Sequence, residues 1–264
     1  PGDAYVALTR YMYGTVQDLT FTNVNITGGP SQVAVLATTS IGIIDNVHIT
    51  SGSITGQSDS SVEIGGLVTL HAGTMTDSSV HATITGDGGD TGGIVSLHGT
   101  YSGTYPGIIS NCWFTGDIVG ERYVGGLVGN VQDSGSISNS YSTGNVTASG
   151  SYTAAGGLVG HFSDSTIESS YATGNVEGYT AGGFVAKMDG GCSITNSYAT
   201  GNVSGTYASG FIGLHGGSGI SSLDNCYATG TLSGTTSEKG IILNYLSPVI
   251  TSTYWDTETT GTYD

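Results

Sequence analysis

The sequence predicts an all-β chain folded as a right-handed parallel β-helix, a three-sided β-solenoid of about eight coils. Three observations predict it. Glycine accounts for 46 of 264 residues, proline for only 4, and Ser, Thr, Asn, Val and Ile fill much of the rest. That composition is poor in helix formers and rich in turn residues, and it lacks the strict period of collagen. Second, a Gly-Gly-Leu-Val-like block recurs at Gly65, Gly92, Gly125, Gly156 and Gly182, returns as Ser209-Gly210-Phe211-Ile212, and continues at Gly240. Third, the signature Asn139-Ser-Tyr-Ser-Thr-Gly-Asn-Val146 returns at Ser169–Val176, Asn196–Val203 and Asn225–Leu232, with Asn111–Ile118 a clear relative.

Block-to-block spacings are 27, 33, 31, 26, 27 and 31 residues. A unit of that size, with three short apolar stretches between glycine turns, cannot bury its own apolar face. Stacked copies can, because each strand pairs with its equivalent about 4.8 Å above and below. Eight such steps give a rod roughly 40 Å long. Right-handedness follows from the usual hand of parallel crossovers. The whole chain reads as one domain: degenerate coils and a cap over 1–64, well-formed repeats over 65–239, and a last coil and cap over 240–264. The degenerate copies run back through Asn46–Ile54 and Asp18–Ile26.

Charge excludes several partners. The net charge is −16, and the four cations Arg10, Arg122, Lys187 and Lys239 are scattered singly, so a phosphate backbone finds no basic patch. Apolar runs are too short to span a bilayer, so no membrane insertion is expected of this segment. No signal peptide is visible, and a chain starting at Pro1 reads as a mature or excised piece. Cys112, Cys192 and Cys226 form no CxxC and leave an odd thiol. Cys112 and Cys226 fall in one file four coils apart, roughly 19 Å, too far for a disulfide.

Equivalent residues form files along a solenoid, and strand alternation decides which files are buried. The file Ile26, Ile54, Ile84, Ile118, Val146, Val176, Val203, Leu232 reads as interior. Its neighbours Asn25, Asn145 and Asn202 then point outward, and each opens an Asn-x-Ser/Thr sequon, making them candidate glycosylation sites. Residues on both sides of the signature tyrosine are apolar or small, so the tyrosine file faces out: Thr20, His48, His81, Trp113, Tyr141, Tyr171, Tyr198, Tyr227. Two readings stay open for it: a stacking ladder that stabilises the sheet, or an aromatic strip for glycans or a second copy. The file Val68, Val95, Val128, Val159, Val185, Ile212 would serve lateral packing if it is not folded into the core.

Candidate chemistry is sparse. His71, His98 and His215 share a file, but Val131, Phe162 and Met188 occupy the same file, which favours packing over metal binding. Asp133, Asp164 and Asp189 follow the Gly-Gly block on successive coils; stacked carboxylates repel, and Ca2+ would relieve that, whereas solvated turn aspartates need no ion. Asp87 and Asp90 mark an acidic turn, a second calcium candidate. Those two, or Glu63 with either, would also supply the carboxylate pair of a glycosidase. No cofactor is required by any motif.

The pattern Gly-Gly-Leu-Val-Gly, a polar turn, then Ile-x-Asn-Ser-Tyr-x-Thr-Gly-Asn-Val resembles the GLUG repeat, most closely from Gly125 to Gly234. Thr69, Ser96 and Ala186 depart from it at the glycine that closes the Gly-Gly-Leu-Val-Gly block, and the closing Tyr254–Thr259 segment resembles the end of such arrays. The resemblance implies a solenoid in a bacterial or archaeal cell-surface protein, including adhesin-like proteins and non-catalytic parts of immunoglobulin A peptidases. The His-Glu-x-x-His motif of those peptidases is absent from the sequence. The expectation is a non-catalytic extracellular rod, structural or adhesive, whose partners are other copies of itself, other surface proteins or glycans. The alternative is a β-helix polysaccharide hydrolase or lyase.

Overall fold

A computed structural model of the protein describes residues 5–29, 31–56, 62–99, 107–217, 219–244 and 248–256. Among them every strand pairing is parallel, and no helix occurs. The coil built on the best-formed repeat shows the plan. Ser136–Ser138 and Tyr141–Ser142 make face 1, Val146–Ala148 and Ala154–Gly156 make face 2, and Val159–Ser163 makes face 3. Face 3 stacks nine strands, from Thr9–Met12 to Ile242–Asn244, which gives eight coil-to-coil steps.

Each corner has a local cause. Within face 1 the chain turns at Asp18, Asn46, Asp77, Asn111, Asn139, Ser169, Asn196, Asn225 and Ser252, all with φ between 46° and 54°. Short polar side chains tolerate this left-handed conformation where β-branched ones do not. The motif's leading Asn is therefore selected chiefly by backbone geometry. An amide ladder adds to it at Asn46, which donates to Asp18 at 2.7 Å, and at Asn225, which donates to Asn196 at 2.7 Å. Where face 1 passes to face 2, a Cβ on Gly144 would collide with the Gly116 carbonyl one coil away. Where face 2 passes to face 3, a Cβ on Gly125 would collide with the Val128 carbonyl. The repeat's Thr-Gly and Gly-Gly pairs thus mark sites where two backbone segments come too close for a side chain.

The interior is continuous. The file from Ile26 to Leu232 is in register strand by strand, and its members from Ile54 to Val203 are buried. Val68, Val95, Val128, Val159, Val185 and Ile212 also pair in register and are fully buried. That second file is core, not a lateral packing surface, because the Gly-Gly corner turns it inward. Phe114, Phe162, Phe184 and Phe211 are the largest fully buried side chains, and Phe184 stacks on Phe211 at 4.7 Å.

Buried polar groups are stapled between coils. Ser140 Oγ accepts the Cys112 amide at 3.1 Å and donates to the Ser138 carbonyl at 2.7 Å. Ser170 and Ser197 repeat the arrangement on the next two coils. Buried polar atoms satisfied this way fix the register of the stack. Cys112 and Cys226 share this buried file, and all three cysteines are free thiols. Burial pushes the Cys112 thiol up to about 12 and those of Cys192 and Cys226 up to about 11.

Two expected file positions differ. His81 is not in the tyrosine file: Ser79 pairs there with both His48 and Trp113. The left-handed corner sets the count, and the ladder residue always lies two places after it. Counted from Asp77 that residue is Ser79, and His81 falls in the threonine file, its Nδ1 2.8 Å from Thr115 Oγ1. Asp189 does not stack on Asp164. Asp133 and Asp164 are both left-handed corner residues, with φ 53° and 45°, and the next corner is Gly190 at φ 76°. Asp189 lies one residue earlier, opposite Ser163, and a one-residue offset on a strand sends the side chain elsewhere.

Candidate functional site

Two surfaces carry aromatic rows. On face 1, Trp113, Tyr141, Tyr171, Tyr198 and Tyr227 are in register and point outward. Their rings stack nearly parallel: 5.9 Å at 9° for Trp113–Tyr141, then 4.7 Å at 3°, 4.9 Å at 4° and 4.9 Å at 4° down to Tyr227. The spacing is that of the strands. Each interior ring has both faces covered by its neighbours, so solvent meets ring edges and hydroxyls. Burial of the rings, and then the adjacent hydroxyls, hold the Tyr171 and Tyr198 phenols above the ordinary tyrosine value.

The second surface lies where faces 2 and 3 meet at the Gly-Gly corner. Outward residues of face 2 run Gln32, Glu63, Asp90, Tyr123, Ala154, Thr180, Tyr207, and those of face 3 run Leu70, Leu97, Asn130, His161, Lys187, Leu214. The two rows touch across the corner. The Tyr123 and His161 rings stack at 4.7 Å, and Asn130 Nδ2 donates to Asp90 Oδ2 at 3.0 Å. The corner is therefore concave, and its C-terminal half opens into a groove of about 360 Å³.

Beside the groove, and reaching it through Lys187, runs a connected polar chain. His161 places Nδ1 3.1 Å from Asn130 Oδ1 and Nε2 2.9 Å from Asp189 Oδ2, and Lys187 Nζ lies 2.8 Å from the same carboxylate oxygen. Two acceptors facing one imidazole favour its charged form, but burial outweighs them and holds the His161 pKa below the ordinary value. Asp189 is also held low: burial opposes its charge, but hydrogen bonds from Lys187 and His161 prevail. Asp90 is 3% exposed. Arg122 Nη1 reaches its Oδ1 only at 3.5 Å, and that oxygen makes no hydrogen bond. Burial raises the pKa of Asp90, and burial raises that of Glu63, with Asp90 adding to the second.

These contacts place the remaining candidates. Asp87 and Asp90 do not form a pair: a register shift between Gly88 and Thr91 turns Asp90 into the concave corner, while Asp87 lies near Glu121. Among the described residues no three His, Cys, Asp or Glu side chains gather in a metal-holding group. Asp133 and Asp164 are exposed turn residues, and Asp164 Oδ1 accepts the Gly191 amide at 2.8 Å. His71 and His98 stack at 5.6 Å in the core. Burial drives their pKa values down to about 3 and about 4.

Asn25, Asn145 and Asn202 are exposed as expected. Asn145 Nδ2 donates to Asp117 and its Oδ1 accepts the Asn175 amide, while Asn202 Oδ1 accepts the Thr231 amide. These amides fasten one coil to the next. The groove's own residues, Tyr123, Tyr152, Tyr179, Tyr207 and Lys187, carry no repeat-wide motif in the sequence. The signal that would have found them is coil length. The stretch from Val146 to Gly156 is four residues longer than its equivalent Val176–Gly182, and the excess, Ser149–Tyr152, carries a tyrosine to the groove.

Comparison with known proteins agrees with this geometry. The GLUG motif matches three times, at residues 120–147, 151–177 and 177–204. No curated protein is significantly similar in sequence. A solved structure described as a "putative immunoglobulin A1 protease" from Bacteroides ovatus is similar in fold, with a TM-score of 0.56 and 19% identity over 92% of this chain and 78% of that one. At that identity the likeness concerns the fold alone. The chain thus carries three consecutive GLUG repeats within a longer parallel β-solenoid.

Proposed function

We propose that this chain is a non-catalytic structural and adhesive module of the extracellular surface, a rigid rod that holds or attaches other surface components. One observation carries the reading: the register on face 3 runs from Val68 to Ile212 without a shift, and the Ser140 staples and Tyr141 stack repeat beside it. Such a stack resists bending because every coil is hydrogen-bonded to the next along its faces. The separation of Asp87 from Asp90 by the register shift supports the non-catalytic half of the reading, since those two carboxylates do not flank one site.

Protease shaving of intact source cells should release peptides from this chain, and electron microscopy of the purified protein should show short straight rods. Recovery only after lysis would overturn the location. Reducing-sugar release from polygalacturonate that disappears in Asp87→Asn or Asp90→Asn would overturn the non-catalytic assignment.

A further inference from the structure

We propose that the concave bend between faces 2 and 3 binds a strand of uncharged polysaccharide lying along the rod axis. The inference deepens the adhesive part of the reading above, and its test leaves the rod's location untouched. The groove is lined by Tyr123, Tyr152, Tyr179 and Tyr207 on one side and by Lys187 and Leu214 on the other. Its volume of about 360 Å³ is within the range of small-ligand sites.

Ring geometry separates these tyrosines from those of face 1. Tyr123 stacks on His161 and carries the Arg122 guanidinium over its ring, but Tyr152 meets Tyr179 at 50° and Tyr179 meets Tyr207 at 74°, so these three rings are not stacked face to face as on face 1. Open aromatic faces at successive coils, about 4.8 Å apart along the axis, form a platform for the apolar faces of sugar rings. Tyr152 is 85% exposed and holds φ at +63°. A bulky residue there is strained, and such strain persists where surrounding structure or function requires it.

The chemistry of the occupant follows from what the groove lacks. Lys187 is paired with Asp189, and Arg122 lies against Asp90, so the cations nearest the bend are already matched by carboxylates. An anionic polymer gains little there. An extended peptide would seek an unpaired strand edge. However, Ala154–Gly156 is paired on both sides, as are Val159–Ser163 and Val185–Asp189. Recognition must then come from side chains alone, through the ring faces and hydroxyls of the groove's tyrosines. That is the chemistry of a neutral glycan.

Departures from the repeat also converge here. The register shift that buries Asp90, the inserted Ser149–Tyr152 loop, and the change from Leu97 to Asn130 to His161 along one file all lie along this bend. Stacking alone needs none of them.

Affinity electrophoresis of the full chain through gels containing β-glucan, xylan or galactomannan tests the inference, with polygalacturonate as the anionic control. At least one neutral polymer should retard the protein, and polygalacturonate should not. Tyr152→Ala and Tyr179→Ala should each weaken the interaction by about tenfold, while Tyr198→Ala on face 1 should leave it unchanged. Tyr152 is on an exposed loop, so its removal does not threaten folding. No retardation by any neutral polymer, retardation by polygalacturonate alone, or equal binding by Tyr152→Ala would each overturn the inference.

Discussion

Tyrosines on face 1 stack within 4° of parallel, whereas those in the bend meet at 50° and 74°. Both sets recur once per coil, but the face-1 tyrosines pair with one another in register, whereas Tyr207 lies opposite Thr180 and not Tyr179. On face 1 each tyrosine follows an identical left-handed corner, Asn139, Ser169 or Asn196, with φ of 48°, 50° and 51°. Identical backbones present identical side chains, and the rings have only one way to lie. In the bend, Tyr152 sits in an inserted loop, Tyr179 within the strand Val176–Gly182, and Tyr207 within Val203–Ser209. Unequal backbones splay the rings. Regularity in this rod covers ring faces, and irregularity exposes them.

A ladder of rings that can acquire charge breaks this comparison most sharply. His71 and His98 stack like the face-1 tyrosines but are fully buried, with pKa values near 3 and 4 against 6.5 for the free side chain. Their folded pKa values are depressed, so the unfolded chain binds more protons between pH 6.5 and 4. Stability is fully present above that window and falls as the pH drops through it. By pH 4 the loss is about 3 kcal/mol for each ring. Urea denaturation at successive pH values should show the decline, and His71→Met with His98→Met, following Met188 in the same file, should remove most of it. A wild-type midpoint independent of pH over that range would contradict the burial of neutral imidazoles.

A smaller effect separates the two tyrosine rows directly. Tyr171 stacks on both Tyr141 and Tyr198, so Tyr171→Ala removes two ring contacts and should cost about 1–3 kcal/mol. Tyr152→Ala should fall within about 0.5 kcal/mol of the parent, as for other exposed sites. Thermal unfolding of both variants checks this. Equal losses would mean that face 1 is not held by its stack.

The sequence made the repetitive part legible because files follow from counting. Ile84 opposite Ile118, Tyr141 opposite Tyr171 and Cys112 in the serine file could all be placed from spacing alone. Counting failed where one residue was gained or where a corner was misjudged. His81 stands in the tyrosine file when the degenerate coil is aligned by sequence, but the corner at Asp77 assigns that position to Ser79. Asp90 looked like a turn residue beside Asp87 until a one-residue register shift turned it inward. The bend itself was illegible for a different reason. Strand alternation says which side chains leave the core, but not that two outward rows on different faces converge across a glycine corner.

The convergence of those rows sets up the gentlest test. Glu63 and Asp90 occupy adjacent coils on the outward row of face 2, and for both the largest influence on the carboxyl is burial, which raises its pKa. A raised folded pKa means that the folded chain holds protons the unfolded chain has released. The contribution is fully present below the ordinary carboxylate range and is lost as the pH rises through the folded value, opposite in sign to that of the core histidines. At pH 7 the charged Glu63 is therefore a cost, only partly offset by the Gln32 hydrogen bond at 3.3 Å. Glu63→Gln should raise the urea midpoint modestly at pH 7 and leave it unchanged near pH 3, with a smaller effect than Tyr171→Ala. Conversely, Asp90→Asn removes the negative neighbour that raises Glu63, so the Glu63 carboxyl should titrate lower, visible as a shifted carboxylate resonance. A midpoint that falls at pH 7 would mean that Glu63 is solvated, and that the two rows do not close into a groove at that end of the bend.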